Sequence, residues 1–193
     1  MKKLSLWLFP LLLMLLAVVP AQASLGSGLY VDGRLGQVDV SEPGVSNLTT
    51  IGIVVGQPVA PGLSLEVSYD TGIKDASAGS FEEVIGGSYA VGDADWNGNI
   101  FGVWLKASHD LSPDLALHGR VGHVKKSVTV NLSGVAGSCD WTGFCLEAPF
   151  TESASESKSG VAFSVGVTLN NQFSIDYADL RDDVKMVSIS MRF

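Results

Sequence analysis

The sequence predicts an all-β protein: an eight-stranded antiparallel up-and-down transmembrane β-barrel, preceded by a cleaved signal peptide. Three observations carry that prediction. Beyond the first 23 residues, apolar and polar side chains alternate in eight separate segments, the period of two that gives a strand one greasy face. The links between the segments are short and long by turns, which sorts them to opposite ends of a barrel. The charges within the segments lie on one parity, four of each sign, as a closed interior demands.

The N-terminus is read apart from the rest. Lys2 and Lys3 precede an apolar run from Leu4 to Val19. Ala21-Gln22-Ala23 is a small-x-small cleavage site, so Ser24 is the expected first residue after export. The expected division is 1–23 as signal peptide and 24–193 as one outer-membrane barrel domain of 170 residues. Loss of the two lysines takes the net charge from −8 to −10. Such acidity excludes nucleic acid as a partner, because phosphates demand Lys and Arg. Cys139 and Cys145 are the two cysteines, and in an oxidising compartment they read as a disulfide. No His or further Cys lies nearby to complete a metal site, and no cofactor is expected.

The segments follow in order. Val31, Gly33 and Leu35 oppose Asp32 and Arg34; Ile51, Ile53 and Val55 oppose Thr50, Gly52 and Val54. Leu63, Leu65, Val67 and Tyr69 oppose Ser64, Glu66, Ser68 and Asp70; Phe101, Val103, Leu105 and Ala107 oppose Gly102, Trp104, Lys106 and Ser108. Leu115, Leu117, Gly119 and Val121 oppose Ala116, His118, Arg120 and Gly122; Val161, Phe163, Val165 and Val167 oppose Ala162, Ser164, Gly166 and Thr168. Phe173, Ile175 and Tyr177 oppose Ser174 and Asp176, and Val187, Ile189, Met191 and Phe193 oppose Ser188, Ser190 and Arg192.

The links after the second, fourth and sixth segments are short: Gln57 to Gly62, His109 to Asp114, and Asn170 with Asn171. Pro58, Pro61, Gly62, Pro113 and the asparagine pair supply turn chemistry. The other four links are expected to be long, polar and extracellular, the third running from about Thr71 to Asn97 and the fifth from about Lys125 to Ser157.

Parity alone does not separate a membrane barrel from a soluble sandwich, whose charges point at water. The balance of signs, segment lengths that suit a tilted strand crossing a bilayer, and the terminal Phe193 favour the barrel. The expected lumenal charge set is Asp32, Arg34, Glu66, Asp70, Lys106, His118, Arg120, Asp176 and Arg192, with Trp104 as an interior filler. Phe173 and Phe193 fall where a periplasmic aromatic girdle belongs, Tyr69 and Tyr177 where an outer one does.

Taken together, the leader ending Ala21-Gln22-Ala23, the first strand Leu29-Tyr30-Val31-Asp32-Gly33-Arg34-Leu35-Gly36 and the terminal Met186 to Phe193 resemble the OmpA/OmpX-type small outer-membrane β-barrels, which include opacity and attachment-invasion proteins. The resemblance covers essentially all of Ser24 to Phe193. It implies outer-membrane location, contact with outer-membrane lipid and lipopolysaccharide, and recognition of Phe193 by the barrel assembly machinery as an assembly signal. It also implies a lumen filled with ion pairs rather than an open pore, and a surface role in adhesion or envelope integrity through the extracellular loops.

Remaining features are weighed against that role. Trp141, Phe144, Leu146 and Phe150 cluster around the two cysteines, either as a partner-binding tip or as side chains that bury one another. Val128, Val130 and Leu132 alternate on the opposite parity from Leu117 and Val121, which predicts either a β-bulge near His123 to Lys126 or a strand that continues above the membrane. Lys74, Lys125, Lys126, Lys158, Arg181 and Lys185 lie near outer strand ends, where lipopolysaccharide phosphates are within reach. Two other functions stay open: a narrow channel for ions or small solutes, and a lipid A-modifying enzyme. The enzyme reading needs a Ser–His pair, and His123 with Ser127 is the best-placed one; Lys125 stands where a His-x-Ser arrangement has serine. A soluble periplasmic sandwich or lipocalin-like binder is the reading that requires the two faces to be reversed.

Overall fold

The computed structural model describes residues 28–41, 44–142 and 144–193. The cleavage-site residues Ala21, Ala23 and Ser24 lie outside them. Among the described residues nine strands form: β1 (Tyr30–Val40), β2 (Leu48–Ala60), β3 (Leu63–Gly72), β4 (Ala76–Ile85), β5 (Ser88–Ser112), β6 (Leu115–Cys139), β7 (Cys145–Leu169), β8 (Phe173–Asp179) and β9 (Val184–Arg192).

Eight of these close a ring. All pairings are antiparallel, β1 pairs with β9, and β3 pairs with the lower half of β5, so the circuit runs β1-β2-β3-β5-β6-β7-β8-β9. Closure satisfies the backbone of every strand in lipid, which an open sheet does not. β4 is the ninth strand and stands outside the ring, paired with Ser88–Trp96 of β5.

The outward face of the ring is largely apolar, with His123 an outward polar side chain within it. Leu35, Ile51, Val67, Leu105, Val121, Val165, Ile175 and Ile189 are among its exposed side chains. The belt stops at one level, at the cross-strand pairs Gln37–Thr49, Thr71–Asn99, Lys125–Ser159 and Asp179–Lys185. The lower turns are tight. Pro61 and Gly62 (φ +73°) connect β2 to β3, with proline setting the first turn residue and glycine supplying the left-handed second. Asn170 and Asn171 both have positive φ, and Gln172 N donates to Leu169 O, the primed turn that matches strand twist.

The upper links depart from the sequence expectation. Most of 71–97 and 125–157 is regular strand rather than loop. β5, β6 and β7 each run for 25 residues. At a rise of about 3.3 Å per residue and a tilt of about 40°, each extends some 60 Å along the barrel axis, against an apolar band of about 25 Å. The upper halves of β5–β7, with β4, therefore project as a four-stranded sheet. The seventh link, expected to be long, is the four-residue turn 180–183.

β6 shows no bulge at His123 to Lys126; its register against β7 is continuous. What changes is the environment. Even-numbered residues of β6 face inward throughout. They are His118, Arg120 and Val124 below the rim, and Val128 and Val130 above it. Along β6 the polarity reverses without a change of direction: below the rim Leu117 and Val121 face out and His118 and Arg120 in, and just above it Ser127 and Thr129 face out and Val128 and Val130 in.

Candidate functional site

The lower lumen is built from the inward parity of seven strands. Arg34 of β1 grips Asp70 of β3, its Nε donating to Oδ1 at 2.7 Å and its Nη2 to Oδ2. Arg120 of β6 spans the barrel, donating from Nε to Glu66 Oε2 at 2.6 Å and from Nη1 to Asp176 Oδ1. His118 Nε2 lies 2.6 Å from the same Asp176 oxygen, and its Nδ1 is 3.1 Å from Thr168 Oγ1. Lys106 Nζ is 3.4 Å from Glu66 Oε1, and Arg192 Nε donates to Asp32 Oδ1 at 2.8 Å. Every one of the nine sequence-selected residues points inward. Asp70 has no exposed surface, and the half-buried Arg192 sits at the lower mouth, beside the short turns.

Tyr30 belongs to this set and was missed, although it shares parity with Asp32 and Arg34. Its hydroxyl donates to Glu66, and its ring lies under Arg192, 3.8 Å from Cζ to centroid. Gly56 leaves the space for it, since a Cβ there would come within 2.2 Å of the Tyr30 Cζ.

Above this charged layer the lumen turns apolar. Trp104 faces inward as expected, donates from Nε1 to Ser68 Oγ at 2.9 Å, and lies between Gly102 and Gly122. Val38, Leu48, Ile100, Val124, Leu180 and Met186 pack on it and on Trp96, whose Nε1 donates to Ser46 O at 3.1 Å. Between the two layers lies a void of about 10 Å³ bordered by Arg34, Asp176, Trp104 and Leu180, room for about one water.

Lys126 closes the top. The sequence placed it toward lipopolysaccharide phosphate, but its parity is inward and it is buried. Its Nζ donates to Leu180 O and Arg181 O, each at 2.8 Å, and to Asp182 Oδ2 at 2.9 Å. Arg181, Asp182 and Asp183 all adopt positive φ, a strained run for non-glycine residues, and three bonds from one ammonium hold it. That hydrogen bond keeps the Asp182 carboxyl below its ordinary range. Arg181 instead stacks on Phe163, 5.3 Å from the ring centroid.

On the projecting sheet, Cys139 and Cys145 form a disulfide that ties the β6–β7 tip. Asp140 Oδ1 accepts from Thr142 N at 2.8 Å and Phe144 N at 3.1 Å. Trp141 is 96% exposed, and Phe144 and Leu146 also face solvent, whereas Phe150 is half-buried against Phe81. A groove of about 540 Å³ runs below the tips, floored by Ala90, Ala136 and Ala148 and flanked by Ile85, Leu146 and Glu83. The Tyr89 hydroxyl donates to Glu147, which holds the phenol above its ordinary value.

The histidines do not assemble with a serine nucleophile. His123 faces outward beside Val103 and Val161, while Ser127 Oγ pairs with Ser157 Oγ at 2.8 Å. Phe193 N donates to Val31 O at 3.0 Å, with its ring exposed beside Gly33.

The family model described as outer membrane protein beta-barrel domain matches residues 9–184. A comparison with curated proteins finds no match. Among solved structures, the chain is similar to Ail, the attachment invasion locus protein of Yersinia pestis, at 17% identity and a TM-score of 0.46, covering 86% of this chain and 97% of that one. It is similar to the N-terminal β-barrel domain of Pseudomonas aeruginosa OprF at 10% identity and 0.43, covering 85% and 97%. For Neisserial surface protein A the values are 13% and 0.44, covering 86% and 95%.

Proposed function

We propose that this chain, which belongs to the outer membrane protein β-barrel family and resides in the bacterial outer membrane, is a surface-display barrel: a closed transmembrane base that carries a rigid sheet out to an external partner. The observation that carries this reading is the length of β5, β6 and β7, which run well past the polar rim. An adhesive contact has its anchors in the exposed Trp141, Phe144 and Leu146 on a stapled tip. Carboxylates at Glu82, Glu83, Asp93, Asp95, Glu147 and Glu152 on the sheet favour a partner with a basic surface.

The test is cell binding. Cells displaying the full chain are expected to adhere to a partner surface. Cells in which 76–97 and 127–157 are replaced by short turns lose adhesion while the barrel keeps its heat-modifiable gel shift. Equal adhesion by both would refute the reading.

Residues 1–23 are taken as the leader removed on export, which intact-mass measurement of the mature protein checks, and Phe193 as the signal read during assembly. Outward Lys125 and Lys185 at the rim are taken as contacts for lipopolysaccharide phosphate. A channel is the second reading. The paired charges, Trp104 and the apolar layer oppose it, and a steady single-channel conductance of appreciable size would restore it. No catalytic step is proposed. An altered acylation pattern of lipid A in expressing cells would reopen the enzyme reading.

A further inference from the structure

Asp176 takes both of its charged neighbours on one oxygen. Arg120 Nη1 donates to Oδ1, and His118 Nε2 lies 2.6 Å from the same atom. The other oxygen, Oδ2, is buried and meets no hydrogen-bonding group among the described residues. On the neighbouring strand, the Ser164 hydroxyl is in the same condition. Asp176 is 3% exposed and Ser164 6%. Of the three such atoms among the described residues, these two border the void of about 10 Å³ between the charged and apolar layers, and Thr50 Oγ1 does not. A buried carboxylate oxygen without a donor is costly. Two orphaned groups that share one enclosed space point to one ligand for both.

Strand pairing sets the geometry. Ser164 stands opposite Ala178, so Asp176 is its diagonal neighbour, two residues along β8 on the same face. Cβ atoms on such a diagonal are about 7 Å apart. The two side chains do not bond to each other, and one small molecule between them can bond to both.

Charge identifies that molecule. Arg34 and Arg120 border the void, and so do Asp70 and Asp176. A cation there would face two guanidinium groups, and an anion two carboxylates, so the site suits a neutral ligand. The ligand has to accept from a serine hydroxyl and donate to a carboxylate oxygen within the volume of about one water. Ile100, Leu180 and Met186 of the apolar layer close the site on its outer side.

We propose that Ser164 and Asp176 form a binding site for one resident water molecule, which bridges β7 and β8 where the polar layer of the lumen meets the apolar one. The Ser164 hydroxyl donates to the water, and the water donates to Asp176 Oδ2. Its second proton has Ser188 and Asp70 on the same border. The site is independent of the surface-display reading. It bears on the closed base, because an enclosed water ends the polar path below Leu180 instead of continuing it.

The test uses the full mature chain, isotope-labelled, in phospholipid nanodiscs. Magnetisation transfer from water to methyl protons is read in the laboratory and rotating frames. The wild type is expected to show a direct contact with slowly exchanging water at Ile100, Ala178 and Leu180, which border the site. Val38, Leu48 and Val124, in the apolar layer away from the void, show none. Ser164→Ala removes the hydroxyl and keeps the space, so the contact persists, whereas transfer relayed through an exchanging hydroxyl would vanish. Ser164→Val puts a methyl group into the space, and the contact is lost.

Any of four results overturns the proposal: no water contact at Ile100, Ala178 and Leu180 in the wild type, loss of the contact in Ser164→Ala, its full retention in Ser164→Val, or water contacts that continue to Val38, Leu48 and Val124. Should Ser164→Val fail to give the heat-modifiable gel shift of a folded barrel, Ser164→Ala decides: a retained contact supports the site and a lost one refutes it.

Discussion

Lys126 and Asp182 meet at the outer end of the barrel, Nζ to Oδ2 at 2.9 Å, one side chain buried and the other largely exposed. The lysine comes from β6 and the aspartate from the left-handed turn between β8 and β9, so the pair pins that turn over the apolar layer. Lys126→Met is expected to release it. Leu180 and Val184, whose amides are tied within the turn by Leu180 N to Val184 O and Val184 N to Arg181 O, then exchange faster, while amides at Glu66 and Arg120 are unchanged. Uniform protection in the variant would show that the turn holds itself.

The same pair sets a pH dependence. The hydrogen bond from Lys126 lowers the Asp182 carboxyl below its ordinary value. A carboxylate lowered on folding stabilises the fold above its unfolded value, and the contribution is lost as pH falls through the folded one. Turn protection, taken as exchange relative to the intrinsic rate at each pH, is therefore expected to be flat around neutrality and to fall only in acid below the ordinary carboxylate range. Asp182→Asn removes that acid limb, which a pH series of exchange rates measures.

Glu66 accepts from Arg120 and Tyr30 in the buried lower lumen and forms an ion pair with Lys106. Glu66→Leu takes Lys106 from its ion pair and leaves Arg120 with Asp176 alone, where water is scarce, at a cost of roughly 3–5 kcal/mol. The heat-unfolding midpoint falls sharply. Adding Arg120→Met recovers part of the loss, because an apolar pair needs no compensation. A double variant as unstable as the single one would mean that the remaining charges depend on Arg120 itself, through Asp176.

Phe81 and Phe150 stand on the two edge strands of the projecting sheet, with ring centroids 6.1 Å apart. Gly92 and Gly134 lie between them in the same row. A double-mutant cycle to alanine is expected to give a coupling of about 0.5–1.5 kcal/mol, read from exchange in 88–97 and 127–139. The barrel gel shift stays in place throughout.

The Cys139–Cys145 bridge closes a short loop, and its entropic contribution is about 2 kcal/mol, confined to the tip. Reduction, or Cys139→Ser with Cys145→Ser, is expected to speed exchange at 140–144 and to leave barrel unfolding where it was. A fall in the barrel midpoint on reduction would tie the tip to the base.

Much of the lower barrel was legible in the chain. Alternation has a period of two, so Asp32, Glu66, Arg120 and Asp176 declared their side before any pairing was known. Parity also reached Tyr30 and Lys126: Tyr30, at the start of its strand, was left out of the lumenal set, and Lys126 was placed toward headgroups because it lies near the outer end of its strand. The projecting sheet was legible as composition alone. Its Gly, Ser and Thr content reads as loop when taken segment by segment, because strand preference is set by cross-strand neighbours that a single segment does not display.

By itself, then, the sequence determined the eight crossings and the two opposed faces of each segment, because strand geometry converts residue order directly into side. Only the tertiary structure decided that Arg120 bridges Glu66 and Asp176, that Lys126 holds the turn at 180–183, and that residues 76–97 and 127–158 pair into one upright sheet. The Arg120 and Lys126 contacts join residues more than fifty positions apart. Closing the ring brings them to the same level on opposite walls, and no local pattern encodes that meeting.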